Sequence, residues 1–310
     1  MAAATDDLGT YLIDQVQAVS GVHPGRRVLH AKGVGASGTF RSTGDAAPFT
    51  TAAHLQPDVV VPVEVRFSNG SADPDAHDGA RDGRGFAVKF RLEDGSSTDI
   101  VSLSLPVFFV RTVEDFVEFV KVRQPDPATG QPDLDRILGF LGEHPEAQLA
   151  AELSVAAPTP ASYAGVTFHS VHVFWFVDAD GIRRPVRYRL EPVVEPGTGF
   201  DPLDEAAALA LAPDYLSTRL ADDLAAAPVA FDLVVVLGED GDPTDDATAP
   251  WPDDRATVRA GRVELTALAD TDPLIFDPTR VTAGIECSDD PILHARSAAY
   301  GASYAQRTST

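Results

Sequence analysis

From residue 59 to residue 269 the chain returns again and again to short, apolar, β-rich runs that end on turn residues. "VVVPVEVRFSN" (59–69) and "RGFAVKFRLEDGS" (84–96) read as strands, the second closing on a turn. "DIVSLSLPVFFV" (99–110) is another extended run, and "VTFHSVHVFWFVDADGIRRPVRYRLEP" (166–192) is the clearest hairpin, two β-rich runs around "DADG". "VAFDLVVVLGED" (229–240) and "TVRAGRVELTALA" (257–269) add two more strands. Helical spacing interrupts this series rather than alternating with it. It is found in "DDLGTYLIDQVQAVSG" (6–21), "TVEDFVEFVKVRQ" (112–124), "LDRILGFLGEHPEAQLAAEL" (134–153, broken near Pro145), "DEAAALALAPDYLSTRLADDLAAAP" (204–228) and "DPILHARSAAYGASYAQR" (290–307). Many strands with inserted and appended helices predict an α+β protein around an antiparallel sheet closed into a barrel. No repeat and no long linker divides the chain. The expected organisation is a single domain over 1–310: a helix over 1–21, a barrel with helical insertions over about 22–270, and a final segment over about 271–310.

Composition narrows the partners. The formal net charge of −23 opposes encounter with nucleic acid or an anionic membrane surface. A single cysteine, Cys287, excludes an internal disulfide and a cysteine-rich metal cage. No uninterrupted apolar run approaches the roughly 20 residues of a membrane span, and the first residues show no basic segment followed by an apolar one. The expectation is a cytoplasmic enzyme or binding protein.

Two segments carry candidate chemistry. In "RVLHAKGVGASGTF" (27–40), His30 stands before three glycines, Gly33, Gly35 and Gly38, which permit positive φ and close approach of a large neighbour. Its ordinary alternative is a strand ending in a loose turn, with His30 merely satisfied. On the last helix Arg296, Tyr300 and Arg307 lie at i, i+4 and i+11 and share one face. Ionising a phenol at pH 7 costs about 4 kcal/mol, beyond one exposed arginine but within reach of a ferric ion. The alternative there is an everyday Arg–Tyr contact in a helix tail.

Taken in order, five segments resemble the haem catalase family, from about residue 20 to the carboxyl end. "RVLHAKGVGASGTF" is similar to its distal-histidine motif. "VEVRFSNG" with "SADPDAHDGARDGRGFAVKF" resembles the next signature, and "LPVFFVR" the apolar segment over the haem. "VHVFWFVDADG" resembles the hairpin behind the proximal side, and "GIECSDDPILHARSAAY" the proximal-tyrosine motif. The resemblance implies a barrel of the catalase type, haem b as cofactor, and segment 271–310 as the carrier of the iron ligand. It implies His30 as distal acid–base, with Ser68 orienting its ring. Phe108, Phe109 and Phe116 match pocket aromatics, and Tyr300 the axial iron ligand, kept anionic by Arg296. His172 matches a proximal-side histidine, and Arg27, Arg66 and Arg307 match arginines near the propionates, which need such partners when buried.

Two departures shape the expected function. Aligned without gaps on "LPVFF", the family's distal asparagine falls at Leu103, which offers peroxide no hydrogen bond; Ser102 and Ser104 flank it, but adjacent strand residues point to opposite faces. The chain also stops shortly after Arg307. Both point to the small catalase-related peroxidases, with a more open site and a monomer or dimer. The expected activity is haem-dependent reduction of hydrogen peroxide or organic hydroperoxides by a small organic donor, with weak catalase activity. Alternatives are a rearranging enzyme of the allene oxide synthase type, acting on fatty-acid hydroperoxides, and a non-catalytic haem-binding barrel. His23, His54, His77, His144, His169 and His294 are expected to be ordinary residues, and Cys287 to have no catalytic duty.

Overall fold

The computed structural model describes residues 2–126, 129, 133–194 and 199–309. Among these residues ten strands form one antiparallel sheet: β1 (Gly33–Ser42), β2 (Val60–Asn69), β3 (Arg84–Arg91), β4 (Ser97–Leu103), β5 (Phe168–His169), β6 (Phe174–Val177), β7 (Arg183–Pro192), β8 (Val229–Leu237), β9 (Thr257–Leu268) and β10 (Ile285–Cys287). Pairing runs β1–β2–β3–β4–β5–β7–β8–β9 and returns to β1, which closes an eight-stranded barrel. β6 and β10 extend the sheet beyond the amino-terminal half of β7. Among the described residues seven helices surround it: α1 (Ala2–Ser20), α2 (Val113–Val122), α3 (Leu134–Glu143), α4 (Pro145–Ala156), α5 (Glu205–Leu209), α6 (Tyr215–Ala226) and α7 (Pro291–Thr308). None of the described helices is long and apolar enough to cross a membrane.

The barrel interior follows from the period of two in its strands. Phe40, Phe67, Phe86, Phe90, Phe168 and Phe231 are wholly buried inside. Phe67 meets Phe86 edge-on at 5.0 Å, and Phe86 meets Phe231 at 5.1 Å, the offset geometry that aromatic quadrupoles favour. Burying each such ring contributes about 1.5–3 kcal/mol. With the inward positions filled, the alternate outward positions of β2, β3 and β4 are left to build a site beneath the helices.

Two expectations change at this level. The glycine-rich stretch is the strand β1, not a turn, and none of Gly33, Gly35 and Gly38 has positive φ. Their small size serves close approach instead: a Cβ on Gly33 would lie 2.6 Å from the Arg66 guanidinium. The run 99–110 is a strand only to Leu103, and beyond it the chain is irregular. Pro106 lacks the N–H that a continuing ladder would need.

α7 begins where Asp290 caps it, Oδ1 accepting from the Ile292 and Leu293 N–H groups at 2.8 and 3.4 Å, with Pro291 in the first turn. α1 packs along α7 so closely that a side chain on Gly9 would collide with the Ala298 carbonyl. α2, opened by Thr112 accepting from Asp115 N–H, places Phe116 against residues from α1 and α7.

Candidate active site

His30 lies just before β1, and its own backbone carries the positive φ, +54°. For a residue with a side chain this is an uncommon and strained conformation. It is held from both sides: Arg66 Nη2 donates to the His30 carbonyl at 2.8 Å, and Ala31 N–H donates to the Ser71 carbonyl. The ring is fixed by Ser68, whose Oγ lies 3.0 Å from His30 Nδ1. Gly85 makes room for the pair, since a Cβ there would fall 2.6 Å from Ser68 Oγ and 3.0 Å from His30 Nδ1. Desolvation first, then the charges of Arg66 and Arg296, pushes the His30 imidazole down to about 3, so the ring is neutral at physiological pH.

On α7 a second chain of contacts leads to the tyrosine. Asp290 Oδ2 meets His172 Nδ1 at 2.6 Å, His172 Nε2 meets Arg296 Nη1 at 2.9 Å, and Arg296 Nη2 donates to Tyr300 Oη at 2.9 Å. The guanidinium can only donate, so it sets the His172 tautomer: Nε2 accepts and Nδ1–H donates to Asp290. Burial outweighs the Asp290 bond and, with Arg296, pushes His172 down to about 4. The spacing of Arg296 and Tyr300 was legible in the sequence; the role of Asp290 was not singled out. Its signal was local, an Asp–Pro pair at the head of a helix.

Arg27, Arg66 and Arg307 come together near Asp272, whose charge acts on all three. Arg27 Nη1 pairs with Asp272 Oδ1 at 2.9 Å, while Arg27 and Arg307 both donate to the Leu274 carbonyl. Burial lowers Arg66 to about 9 and Arg307 to about 10, and for each the second cause is the charge of Arg27. Three buried cations that repel one another are a group whose mutual repulsion added carboxylates would relieve. Tyr300 lies within electrostatic reach of Arg27, and His30 within reach of both Arg296 and Arg27, so the three groups belong to one site.

The aromatic residues complete it. Phe108 stacks on Phe109 with centroids 4.3 Å apart and lies 5.7 Å below the Arg296 guanidinium; Phe109 packs on Phe116 at 5.9 Å. Leu103 belongs to the same face as the distal pair. Across the sheet Gly33, Ser68, Gly85 and Leu103 stand directly opposite one another on β1, β2, β3 and β4, and directly opposed residues share a face. Neither flanking serine joins the row: Ser104 Oγ accepts from Arg84 N–H, and the Ser102 hydroxyl is buried opposite Phe86 with no hydrogen-bond partner among the described residues.

A family model described as catalase matches residues 8–310. The chain belongs to the catalase family. Membership makes it an oxidoreductase that acts on peroxide, in a family whose cofactor is haem. It is 39% identical to a catalase-related peroxidase of Mycolicibacterium paratuberculosis over 96% of this chain and 93% of that one. A catalase-related peroxidase of Synechococcus elongatus is 32% identical over 99% and 90%. In three dimensions the chain is similar to a fungal catalase (TM-score 0.81, 27% identity), covering 92% of this chain and 60% of that one. A bacterial catalase gives a TM-score of 0.80 at 26% identity, with 91% and 57% covered. The donor set fits the catalase-family cofactor: a phenol oxygen for ferric iron, a cluster of three arginines for two propionates, and aromatic rings for a flat macrocycle.

Proposed function

We propose that the protein is a haem b peroxidase that reduces hydrogen peroxide or organic hydroperoxides with electrons from a small organic donor and evolves oxygen only weakly. The observation that carries this is the placing of Leu103 in one cross-strand row with the His30–Ser68 pair. Tyr300 would be the axial ligand, while Arg27, Arg66 and Arg307 would receive the propionates. Haem, when bound, supplies the redox chemistry of O–O cleavage.

The chain's own residues handle the protons and the orientation. With Ser68 accepting from His30 Nδ1–H, Nε2 keeps its lone pair and can take a proton from one peroxide oxygen. It would return that proton to the other oxygen, which leaves as water, or as an alcohol from an organic hydroperoxide, when the O–O bond breaks with two electrons that bound haem would supply. Arg296 fills one direction around Tyr300 Oη and leaves another for iron, and the Asp290–His172 pair keeps Arg296 in place. Leu103 gives a second hydrogen peroxide no polar hold, whereas bulky donors do not depend on one. A cytoplasmic location and a monomeric or dimeric state belong to the same proposal.

The test is the absorption spectrum of protein purified after expression with haem supply, before and after peroxide is added. Wild type should show a Soret band that changes on addition. Tyr300→Phe should lose most bound haem. Normal haem content and an unchanged spectrum in Tyr300→Phe would refute the ligand assignment.

A further inference from the structure

The row that begins at the distal pair does not end at Leu103. His169 on β5 stands directly opposite Leu103, and Arg189 on β7 directly opposite His169. The preceding residue on the strand fixes the facing: Phe168 is wholly buried among the barrel's inner aromatics, so His169 points outward, with Leu103 and Ser68. Strands lie about 4.8 Å apart, which sets His169 about 10 Å from Gly85 along the row. Over Gly85 lies the His30 ring. Leu103 is therefore an apolar floor between two imidazoles.

The His169 ring takes part in no hydrogen bond or ion pair among the described residues. Arg189, the cation that faces it, is itself held by Glu191. Burial, with a smaller contribution from Arg189, pushes His169 down to about 4, so at neutral pH the ring offers one donor and one acceptor, both uncommitted.

We propose that His169 is a specificity-determining residue that hydrogen-bonds the second oxygen of hydrogen peroxide above Leu103 while His30 engages the first. This rests on the peroxidase reading of the site. The two ends of the pocket then distinguish substrates by chemistry. Hydrogen peroxide carries a hydroxyl at each end and can satisfy both imidazoles across the apolar floor. An alkyl hydroperoxide carries only one, and its alkyl group lies on Leu103 without calling on His169.

The experiment compares haem-loaded wild type, His169→Leu and His169→Gln. KM and kcat are measured for hydrogen peroxide and for tert-butyl hydroperoxide, and cyanide affinity is read from the haem absorbance. His169→Leu should raise KM for hydrogen peroxide about two- to tenfold, the effect of one lost hydrogen bond, and weaken cyanide by a similar factor. KM for tert-butyl hydroperoxide should stay within twofold, and His169→Gln should recover most of the loss. If the leucine variant does not accumulate, His169→Ala, which only removes atoms, gives the same readouts. An unchanged KM for hydrogen peroxide, an equal rise for both peroxides, or a glutamine variant as impaired as leucine would overturn the proposal. A wild type without haem or peroxidase activity would instead overturn the reading beneath it, a separate result.

Discussion

The strained φ at His30 costs roughly 1–3 kcal/mol, and it is kept because Arg66 and Ser71 clamp both sides of the peptide. Side chain and backbone therefore make separable predictions. His30→Ala should slow the peroxide-induced spectral change about 10²-fold or more, the usual contribution of a positioned acid–base group. His30→Gly should be equally slow yet melt at a higher temperature than His30→Ala, because glycine accepts positive φ freely. Stopped-flow absorbance and thermal melts on the two variants check both halves. Because the ring is neutral down to about 3, its contribution to the rate should also be level from pH 8 to pH 5. Leu103→Asn is the second prediction at this scale. A hydrogen bond restored there is worth roughly 0.5–1.5 kcal/mol, or up to about tenfold in oxygen evolution, without a matching rise in donor oxidation. If oxygen evolution falls with haem content intact, Leu103 is not the determinant. The sequence displayed His30, Arg296 and Tyr300 through their flanking glycines and spacing. It did not display Gly85 or Asp272, whose roles exist only once distant strands and loops are brought together.

Among the elements, α7 carries more of the site than its length suggests, and one residue fixes both its start and its chemistry. Asp290 uses Oδ1 to cap the helix and Oδ2 to hold His172. Asp290→Ala removes both functions and should cost about 0.5–2 kcal/mol from the cap alone. Asp290→Asn can still cap, so its loss of stability should be small, but an amide is a poorer partner for His172 Nδ1–H than a carboxylate. Haem affinity should then fall in both variants while only the alanine variant loses marked stability, as read by urea titration and haem transfer. Equal haem affinity in all three proteins would show that the His172–Arg296 chain needs no anchor. The long strands and helices were readable because their apolar periods are regular over many residues. β1 was not, since three glycines erase its pattern, and β10 spans only Ile285–Cys287, too short to show a period.

At the scale of the whole molecule, folding buries histidines as well as phenylalanines, inside the barrel and between it and the helices, and this ties stability to pH. Burial pushes His30 down to about 3, and His54, His169 and His172 to about 4. Each unfolds to an ordinary value near 6.5, so below that pH the unfolded chain binds protons that the folded chain refuses. Stability contributed by these groups is thus fully present above about 6.5 and lost as pH falls toward 4. At pH 5 each fully depressed histidine costs about 2 kcal/mol, and four together rival the whole stability of a typical domain. Relief of the −23 net charge works in the other direction, but ordinary carboxylates titrate near 4, so between pH 7 and 5 the histidines decide. His54 isolates the effect, because it lies inside the barrel beside Phe40 and Phe90, its Nδ1 has no partner among the described residues, and it takes no part in the site. The urea midpoint of wild type should fall steeply from pH 7 to pH 5. His54→Leu should fall less, by about 2 kcal/mol at pH 5, with haem binding unchanged. A midpoint that holds or rises on acidification, or a His54→Leu curve parallel to wild type, would show that the buried rings are not what makes the barrel sensitive to acid.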